Sequence, residues 1–246
     1  MINILVIGEM CEDIFIYGDC KRLCPEAPVP VMNPIQTIYN FGMSGNVVKN
    51  LEALDNELII HHWHQTEKIY KTRFVDKKTN HMFLRLDDGE AFISPMNHSL
   101  DKMDAIGDFD IVIVSDYNKG FLDDQWLKII GNKAKLSILD SKRILTKEIV
   151  DSFTFVKLNE KEFYNNRSIH ECKNIITTLG EKGAKFDEVV YESPKPQETI
   201  DVSGAGDTFT ASFILEYYRT QNVEKSILFA NNKSAIVVSK RGVATP

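Results

Sequence analysis

The stretch DVSGAGDTF, residues 201–209, places two glycines and an alanine between two aspartates, directly before a long apolar helical pattern. Gly204 and Gly206 let backbone approach a ligand closely, and the N–H groups and positive dipole end of the following helix favour a bound anion such as phosphate. Asp207 falls at or near the helix N-cap, where its carboxylate can also accept a proton from a substrate hydroxyl. A second interpretation stays open from these residues alone, in which the glycines form an ordinary turn and Asp207 only caps the helix.

A second glycine-containing turn is TLGEKG, residues 178–183. It places Thr178, Gly180 and Gly183 after an apolar run, which suits a loop that contacts a nucleotide and equally suits an ordinary turn. The sequence has no GxxxxGK[ST] motif, so a bound nucleotide would not use a P-loop.

The composition of the 246 residues is that of a globular protein, with 43% hydrophobic and 26% charged residues. No apolar run approaches the roughly 20 residues that a membrane-spanning helix needs. The formal net charge of −6 argues against a nucleic-acid surface as the main partner. The four cysteines are sparse, and Cys20 and Cys24 lack the second ligand pair of a zinc site, so a reduced environment is expected. We therefore expect a cytoplasmic protein that acts on small molecules, with no nucleic-acid or membrane partner.

Short continuous apolar runs, typical of strands buried on both faces, alternate with segments of helical pattern. The runs are INILVIG at 2–8, DIVIVSD at 110–116, LSILD at 136–140, FTFVKLN at 153–159 and NIITTLG at 174–180. Ser44 is expected to open a helix over 44–54, and two further helices are expected in the C-terminal third. This alternation predicts an α/β fold, with a mainly parallel sheet and helices on both faces, in a single domain over residues 1–246.

Two stretches depart from that pattern, at 27–41 and 68–88. Their prolines, β-branched and aromatic residues and polar alternation are typical of antiparallel, partly exposed strands. We place them in a small β-lid, with segments at about 14–42 and 68–88, of the kind that closes over a substrate and excludes water. Because the edges of such a lid would otherwise be exposed, we expect a homodimer that pairs through it.

Several stretches together resemble the ribokinase-like (PfkB) sugar kinases, and most of all the kinase domain of D-glycero-D-manno-heptose-7-phosphate kinase. Besides DVSGAGDTF, they are CPEAPVPVM at 24–32, YKTRF and LRLD within 70–87, SDYNKGFL at 115–122 and FANNKSAIVVSKRG at 229–242. The resemblance extends from the first predicted strand to the C-terminal residues.

The resemblance implies phosphoryl transfer from ATP with Mg²⁺ to a hydroxyl of a sugar phosphate. It implies that Asp207 is the catalytic base and that the amides of Gly204, Ala205 and Gly206 form an anion hole for the transferring phosphoryl group. Such transfers depend on positioning and charge neutralisation, which these residue types can provide. In some relatives the position of Asp201 lies near a monovalent cation, so a cation there is expected as well.

The resemblance also assigns residues to the nucleotide side of the site. KLNEKEF, residues 157–163, matches an NxxE element through Asn159 and Glu162, which implies a role in organising Mg²⁺ through water. Their spacing equally fits a capping box. Nucleotide contacts are assigned to Thr178, Gly180, Gly183 and Asn231.

On the acceptor side, the family pattern assigns the sugar hydroxyls to Asp13, Gly42 and Asn46, whose aspartate and asparagine side chains suit polyol recognition. The substrate's own phosphate is assigned to lid cations, namely Lys71, Arg73 and Arg85. Each group has a structural alternative. Asp13 and Asn46 also suit a loop and a first helical turn, and the cations also suit exposed edge strands.

The chain departs from the family in two places. NFGMSGNVV, residues 40–48, retains Gly42 but not a second adjacent glycine, and only DNELIIHHWHQTE at 55–67 stands where a helix and a strand are usual. Successive residues of a strand point to opposite faces, so a strand would divide His61, His62 and His64 between its two faces, which favours a structural or pocket-rim role over a metal site. Two alternatives therefore stay open: another sugar or nucleoside kinase of this fold, or a trimmed relative that binds nucleotide or sugar without catalysis. We also expect no nucleotidyltransferase domain after GVATP, so that a later activation step would use another protein.

Overall fold

The computed structural model of the protein describes residues 1–194, 202–240 and 244–246. The strands within these ranges are β1 (Asn3–Gly8), β2 (Met10–Leu23), β3 (Pro30–Met43), β4 (Ile59–Trp63), β5 (Tyr70–Asp76), β6 (Met82–Asp88), β7 (Ile111–Asp116), β8 (Ser137–Ser141), β9 (Phe155–Asn159), β10 (Ile175–Thr178), β11 (Ala184–Phe186) and β12 (Val189–Tyr191). The α-helices are α1 (Ser44–Leu54), α2 (Leu100–Ala105), α3 (Asp124–Lys133), α4 (Lys147–Ser152), α5 (Glu160–Asn165), α6 (Ala205–Thr220) and α7 (Val223–Val238).

The main sheet has the order β12-β11-β10-β9-β8-β7-β1-β4 among the described strands. Its neighbours pair in parallel from β10 to β4, and only β11 and β12 add antiparallel pairs at one end. The central strands are continuous apolar runs because both faces are covered. Helices α3 and α4 pack on one face and α1, α6 and α7 on the other. The predicted mainly parallel α/β sheet with helices on both faces is confirmed.

A separate sheet of order β3-β2-β5-β6 forms the lid. Strand β2 pairs in parallel with β5, and the two outer pairs are antiparallel. Along β2, buried and partly buried residues alternate from Met10, so that Cys11, Asp13 and Phe15 share the buried face. This sheet confirms the predicted β-lid. Its strands begin at Met10 and Tyr70, which differs slightly from the expected segments at about 14–42 and 68–88.

The short segment at 55–67 supplies β4, an edge strand that pairs in parallel with β1. The helix predicted over 44–54 is present as α1 and begins at Ser44, whose hydroxyl donates to the carbonyl of Gly8 at 3.0 Å. The same Oγ lies 2.8 Å from Nε2 of His62. Burial and the neighbouring His64 lower the pKa of His62 to about 4, so the ring is neutral and structural. Among the described helices, none combines the length and apolar character that crossing a membrane would need.

Glu9, the residue between β1 and β2, connects the start of the lid to the loop that follows β7. Its carboxylate is fully buried and accepts backbone N–H groups from Tyr117 at 2.9 Å, Lys119 at 2.9 Å and Phe121 at 3.2 Å. Gly8 precedes it with φ 151, and a Cβ there would lie 1.9 Å from the Ser115 carbonyl oxygen. The end of β1 therefore fixes the loop that follows β7.

We expect Glu9→Gln to lower the free energy of unfolding by about 1–3 kcal/mol, because the amide NH₂ cannot accept and leaves a buried N–H group without its acceptor. Urea denaturation followed by circular dichroism measures the change. The control is Glu57→Gln at an exposed position, where we expect a change within about 0.5 kcal/mol. Equal stabilities for the two variants would contradict this role of Glu9.

Candidate active site

Asp207 lies in the first turn of α6, where two cavities meet. Both cavities are lined by Tyr117, Gly204 and Asp207. The first has a volume of about 170 Å³ and is otherwise lined by Cys11, Asp13, Met43, Asn46, Lys71, Arg73, Arg85 and Ser203. The second has a volume of about 310 Å³ and is otherwise lined by Asp140, Lys142, Lys157, Asn159, Thr178, Gly180 and Gly206. We call them the acceptor cavity and the phosphate cavity.

The carboxylate of Asp207 is held through both oxygens. Asn46 donates its Nδ2–H to Oδ2 at 2.8 Å, and the Tyr117 hydroxyl donates to Oδ1 at 3.2 Å. Burial raises the pKa of Asp207 to about 6, and the charge of Asp140 adds to this, while the Asn46 hydrogen bond and the cations Lys157 and Lys142 oppose it. The carboxylate does not cap α6, because the N-cap residue is Gly204 and no side chain caps it. It faces the two cavities instead.

The glycines before Asp207 shape the start of α6. Gly204 has φ 82, a left-handed conformation that glycine adopts without strain. A Cβ at Gly206 would lie 3.0 Å from Nζ of Lys157. The first N–H groups of a helix have no acceptor within it, and the first turn of α6 borders the phosphate cavity. The Ala205 N–H donates to the Val202 carbonyl at a long 3.4 Å, so the turn offers its other N–H groups and a nearby cation to an anion.

Two of the three predicted sugar-binding residues line the acceptor cavity, and the third packs against one of them. Asp13 on β2 and Asn46 on α1 line it, and Gly42 on β3 lies against Asp13. A Cβ at Gly42 would be 2.0 Å from Oδ2 of Asp13, so a glycine is required where the family has its pair of glycines.

The predicted phosphate-binding cations line the same cavity, and each has a carboxylate partner. Arg73 forms an ion pair with Asp13. Lys71 lies 2.9 Å from Glu90, and Arg85 lies 2.7 Å from Asp87. Lys71 and Arg73 are on the inner lid strand β5 and are largely buried, whereas Arg85 is on the lid-edge strand β6.

On the phosphate side, Asn159 and Glu162 form the capping box of α5. Asn159 Oδ1 accepts the Glu162 N–H at 2.9 Å, and Glu162 Oε2 accepts the Asn159 N–H at 2.8 Å. Glu162 Oε1 also pairs with Lys142 at 2.6 Å. Asn159 borders the cavity. The capping box that the spacing of these two residues suggested is therefore present. Any contact of their side chains with Mg²⁺ has to leave these two hydrogen bonds in place.

Four predicted nucleotide contacts divide into two groups. Thr178 and Gly180 line the phosphate cavity, and the space around Gly180, which has φ 62, is open to at least 4 Å. Gly183 and Asn231 instead organise the backbone near β12. A Cβ at Gly183 would lie 2.1 Å from the Tyr191 carbonyl oxygen, and Asn231 donates to the same oxygen at 2.8 Å.

Asp201, where a monovalent cation was expected, lies outside the described residues. Within the parts of the chain that the structure describes, no group of three or more His, Cys, Asp or Glu side chains is arranged to hold a metal ion directly.

A buried ion pair under the phosphate cavity was missed from the sequence. Lys157 on β9 pairs with Asp140 on β8 at 2.8 Å, and Thr210 on α6 donates to the same carboxylate at 3.3 Å. Burial opposes ionisation of Asp140, but Lys157 and Lys142 still lower its pKa. Asp140 lies near the carboxyl end of β8. Because α/β sheets bind ligands at the carboxyl ends of their parallel strands, this position could have identified Asp140 as a site residue from the sequence.

Comparison with known proteins identifies the family. The pfkB family carbohydrate kinase sequence profile matches residues 51–246. The bifunctional protein HldE of Helicobacter pylori (strain J99 / ATCC 700824) is 30% identical over 299 residues, covering 99% of this chain and 64% of that protein. HldE of Campylobacter fetus subsp. fetus (strain 82-40) is 30% identical over 294 residues with the same coverage. The chain thus spans about 64% of the length of these curated relatives.

Solved structures show the same fold. A ribokinase from Thermotoga maritima has a TM-score of 0.74 at 18% identity, covering 99% of this chain and 95% of that chain. An Arabidopsis thaliana ribokinase complexed with ribose and ATP has a TM-score of 0.70 at 16% identity, covering 98% and 94%. The fold is therefore ribokinase-like, as predicted. With the family profile spanning most of its length, the chain belongs to the pfkB family of carbohydrate kinases, phosphotransferases whose acceptor is an alcohol group.

Proposed function

We propose that this kinase transfers the terminal phosphoryl group of ATP to the anomeric hydroxyl of D-glycero-D-manno-heptose 7-phosphate, with Asp207 as general base. The observation that supports it most directly is the position of Asp207 between two cavities of different character. One is lined by polar groups and lid cations, and the other by lysines and glycines at a helix N-terminus. An acceptor and a phosphate donor placed in them would meet at the carboxylate.

The acceptor cavity suits a phosphorylated polyol. Asp13 and Asn46 would bind sugar hydroxyls, while Lys71, Arg73 and Arg85 would bind the phosphate that the sugar already has. Arginine binds both carboxylate and phosphate through its planar set of N–H donors. When the substrate phosphate replaces the carboxylate that each arginine contacts in the lid, the arginine therefore still has an anionic partner. The heptose is favoured over other sugars by the resemblance of the lid and SDYNKGFL stretches and by the match to HldE over 99% of the chain.

The residues around Asp207 divide the work of phosphoryl transfer. Its carboxylate takes the proton of the acceptor hydroxyl, and the amides of Gly204, Ala205 and Gly206, with Lys157 beneath them, neutralise charge on the transferring group. Bound ATP with Mg²⁺ supplies the phosphoryl group and part of that neutralisation. Thr178 and Gly180 would contact the nucleotide in the open space beside them.

The oxygen donors at the phosphate cavity suit a hard cation such as Mg²⁺. Asn159 and Glu162 would hold it through water, since their capping box already engages their side-chain oxygens. A monovalent cation near Asp201 belongs to the same proposal.

A second acceptor has specific support. Phe41 and Met43 flank Gly42 where the family has a further glycine, and the segment at 55–67 contributes only the edge strand β4. These differences change the surroundings of the sugar site, so a different phosphorylated sugar, or a nucleoside, is the alternative acceptor within the same reaction.

We also propose that two copies pair through the lid, in the reducing cytoplasm that the four free cysteines suit. Apolar side chains on β3 and β6 are exposed, among them Ile35 and Leu84. An apolar cavity of about 400 Å³ next to them is lined by Val29, Pro30, Met32, Phe74, Phe83 and Leu84. A second lid would cover these side chains and the free strand edges.

For the base, we expect Asp207→Asn to lower kcat by about 10²- to 10⁴-fold with the fold retained, because the amide cannot take the proton. A coupled ADP-release assay over a panel of sugar phosphates measures it, with the exposed Asp187→Asn as the control. No wild-type turnover with any acceptor, together with ATP binding, would indicate a binding protein. Heptose 7-phosphate turned over no better than fructose 6-phosphate or a nucleoside would remove the substrate assignment.

For the lid cations, we expect Arg85→Gln to raise KM for the sugar phosphate by about 10- to 100-fold with kcat and the KM for ATP nearly unchanged, because a charge-assisted contact to the substrate phosphate is lost. Steady-state kinetics with phosphorylated and unphosphorylated acceptors measures the change. Lys78→Gln, exposed on the same lid, is the matched control. An unchanged acceptor KM would remove Arg85 from the site.

For the assembly, sedimentation velocity should give a mass about twice the 28.1 kDa of one chain, and Leu84→Asp should shift it toward the monomer because it places a charge in the apolar contact. Leu100→Asp, exposed on α2, is the control. A wild-type monomer, or a dimer unaffected by Leu84→Asp, would contradict pairing through this face.

A further inference from the structure

Tyr117, in the SDYNKGFL stretch, contacts Asp207 but has no role in the proposed function. It follows β7, and its backbone N–H donates to the buried carboxylate of Glu9 at 2.9 Å. Glu9 also accepts the N–H groups of Lys119 and Phe121, so the loop on both sides of the side chain is fixed. The hydroxyl of Tyr117 donates to Oδ1 of Asp207 at 3.2 Å.

The ring of Tyr117 stands between the two cavities, since it lines both of them. Nζ of Lys71, from the lid, lies 5.9 Å from the ring centroid, and Nζ of Lys142, which follows β8, lies 5.6 Å from it. Both distances are within the range of a cation–π interaction. One cation of the acceptor cavity and one of the phosphate cavity therefore contact the same ring.

We infer that Tyr117 is a positioning residue for phosphoryl transfer, whose hydroxyl orients the Asp207 carboxylate and whose ring keeps water out of the junction between the cavities. The inference rests on the proposed role of Asp207 as base. With Asn46 on Oδ2 and Tyr117 on Oδ1, the plane of the carboxylate is fixed, and each oxygen keeps a second lone pair for the acceptor hydroxyl. The acceptor proton moves to Asp207, and Tyr117 keeps its own.

Tyr117 is not itself a base at neutral pH. Desolvation and the nearby charges of Asp207 and Asp140 raise the pKa of Tyr117 well above its usual value. The phenol therefore stays protonated and remains a hydrogen-bond donor to the carboxylate over the whole range in which Asp207 titrates.

Other charged or titratable groups also face Asp207. From the main sheet they are Asp140 on β8, Lys142 after it and Lys157 on β9. From the lid they are the thiol of Cys11 and the paired charges of the acceptor cavity, namely Asp13, Lys71, Arg73 and Arg85. Burial raises the pKa of Cys11 to about 12, so it is neutral. All of these groups are retained when the Tyr117 hydroxyl is removed, so a shift in the titration of Asp207 reports that hydroxyl.

The test is the pH dependence of kcat/KM. In the wild type we expect activity to fall as the pH drops through about 6, because burial raises the pKa of Asp207 to about 6 and the protonated carboxyl cannot accept. In Tyr117→Phe a donor to the carboxylate is lost, which disfavours the charged form, so the acid limb should move upward by about 0.5–1 pH unit. Tyr164→Phe, an exposed tyrosine on α5, should leave it in place.

Loss of the ring tests the second part of the inference. Tyr117→Leu should raise ATP hydrolysis in the absence of acceptor by about 10-fold relative to phosphoryl transfer, because water can enter the junction. Tyr117→Phe retains the ring and should not. A Tyr117→Phe profile that superimposes on the wild type, or unchanged hydrolysis in a folded Tyr117→Leu variant, would overturn the corresponding part.

If the Tyr117 variants do not fold, a fluorine label on Tyr117 itself still tests the contact with Asp207. The fluorine resonance of 3-fluorotyrosine at position 117 should shift with a midpoint near the acid limb of the activity, and this shift should vanish in Asp207→Asn. A resonance that does not respond would overturn the contact. If Asp207→Asn keeps full turnover, the proposed function itself fails, whereas an inactive Asp207→Asn with an unaltered Tyr117→Phe profile removes only the role of Tyr117.

Discussion

Burying the carboxylate of Asp207 takes away the water that would solvate its charge, and a buried charge is unfavourable unless neighbouring groups bond to it. Polar side chains on α1 and α6 form the hydrogen bonds that stabilise this buried charge. Asn46 reaches the carboxylate from α1, and Asn50 one turn later donates to the Asn46 carbonyl at 2.8 Å. Thr208, next to the carboxylate on α6, in turn donates to Asn50 Oδ1 at 2.7 Å. Polar side chains of α1 therefore form hydrogen bonds with the start of α6. These two helices pack around a buried carboxylate, a group that a core with only a structural role would exclude.

The same requirement links the lid to the sheet. The strands β2 and β5 bring Asp13, Lys71 and Arg73 to the acceptor cavity. Opposite charges are paired across this cavity, so that neither sign accumulates near Asp207. Burial raises the pKa of Asp207 to about 6, although the Asn46 hydrogen bond and the cations Lys157 and Lys142 lower it. A pKa near the working pH would suit the general base proposed for Asp207, because it combines an ionised ground state with a useful affinity for the proton.

The sequence predicted best what depends on neighbours along the chain. The buried strand β7 is a continuous apolar run, and the capping box of Asn159 and Glu162 follows from a spacing of three residues. The hydrogen bond between Asn46 and Asp207 joins residues 161 positions apart, and only the resemblance to a family placed both in one site. The ion pair of Lys157 with Asp140 depends on the register of two adjacent parallel strands, which local pattern does not specify. Ser44 begins α1 as predicted, but local pattern does not specify the contacts of its hydroxyl with the distant Gly8 and His62.

The pairing of β1 with β7 also constrains the order in which the protein can assemble on the ribosome. Ile4 pairs with Ile111, so the lid and β4 lie in the chain between two strands that are neighbours in the sheet. Until β7 has emerged, β1 can pair only with the edge strand β4, and the carboxylate of Glu9 has none of the N–H groups that it accepts in the native fold. Strands that are far apart in the chain pair slowly, because the intervening chain has to be closed into a loop before their contacts form. In this kinase nearly half of the chain must be made before β1 and β7 can pair and the loop that holds Tyr117 can take its place.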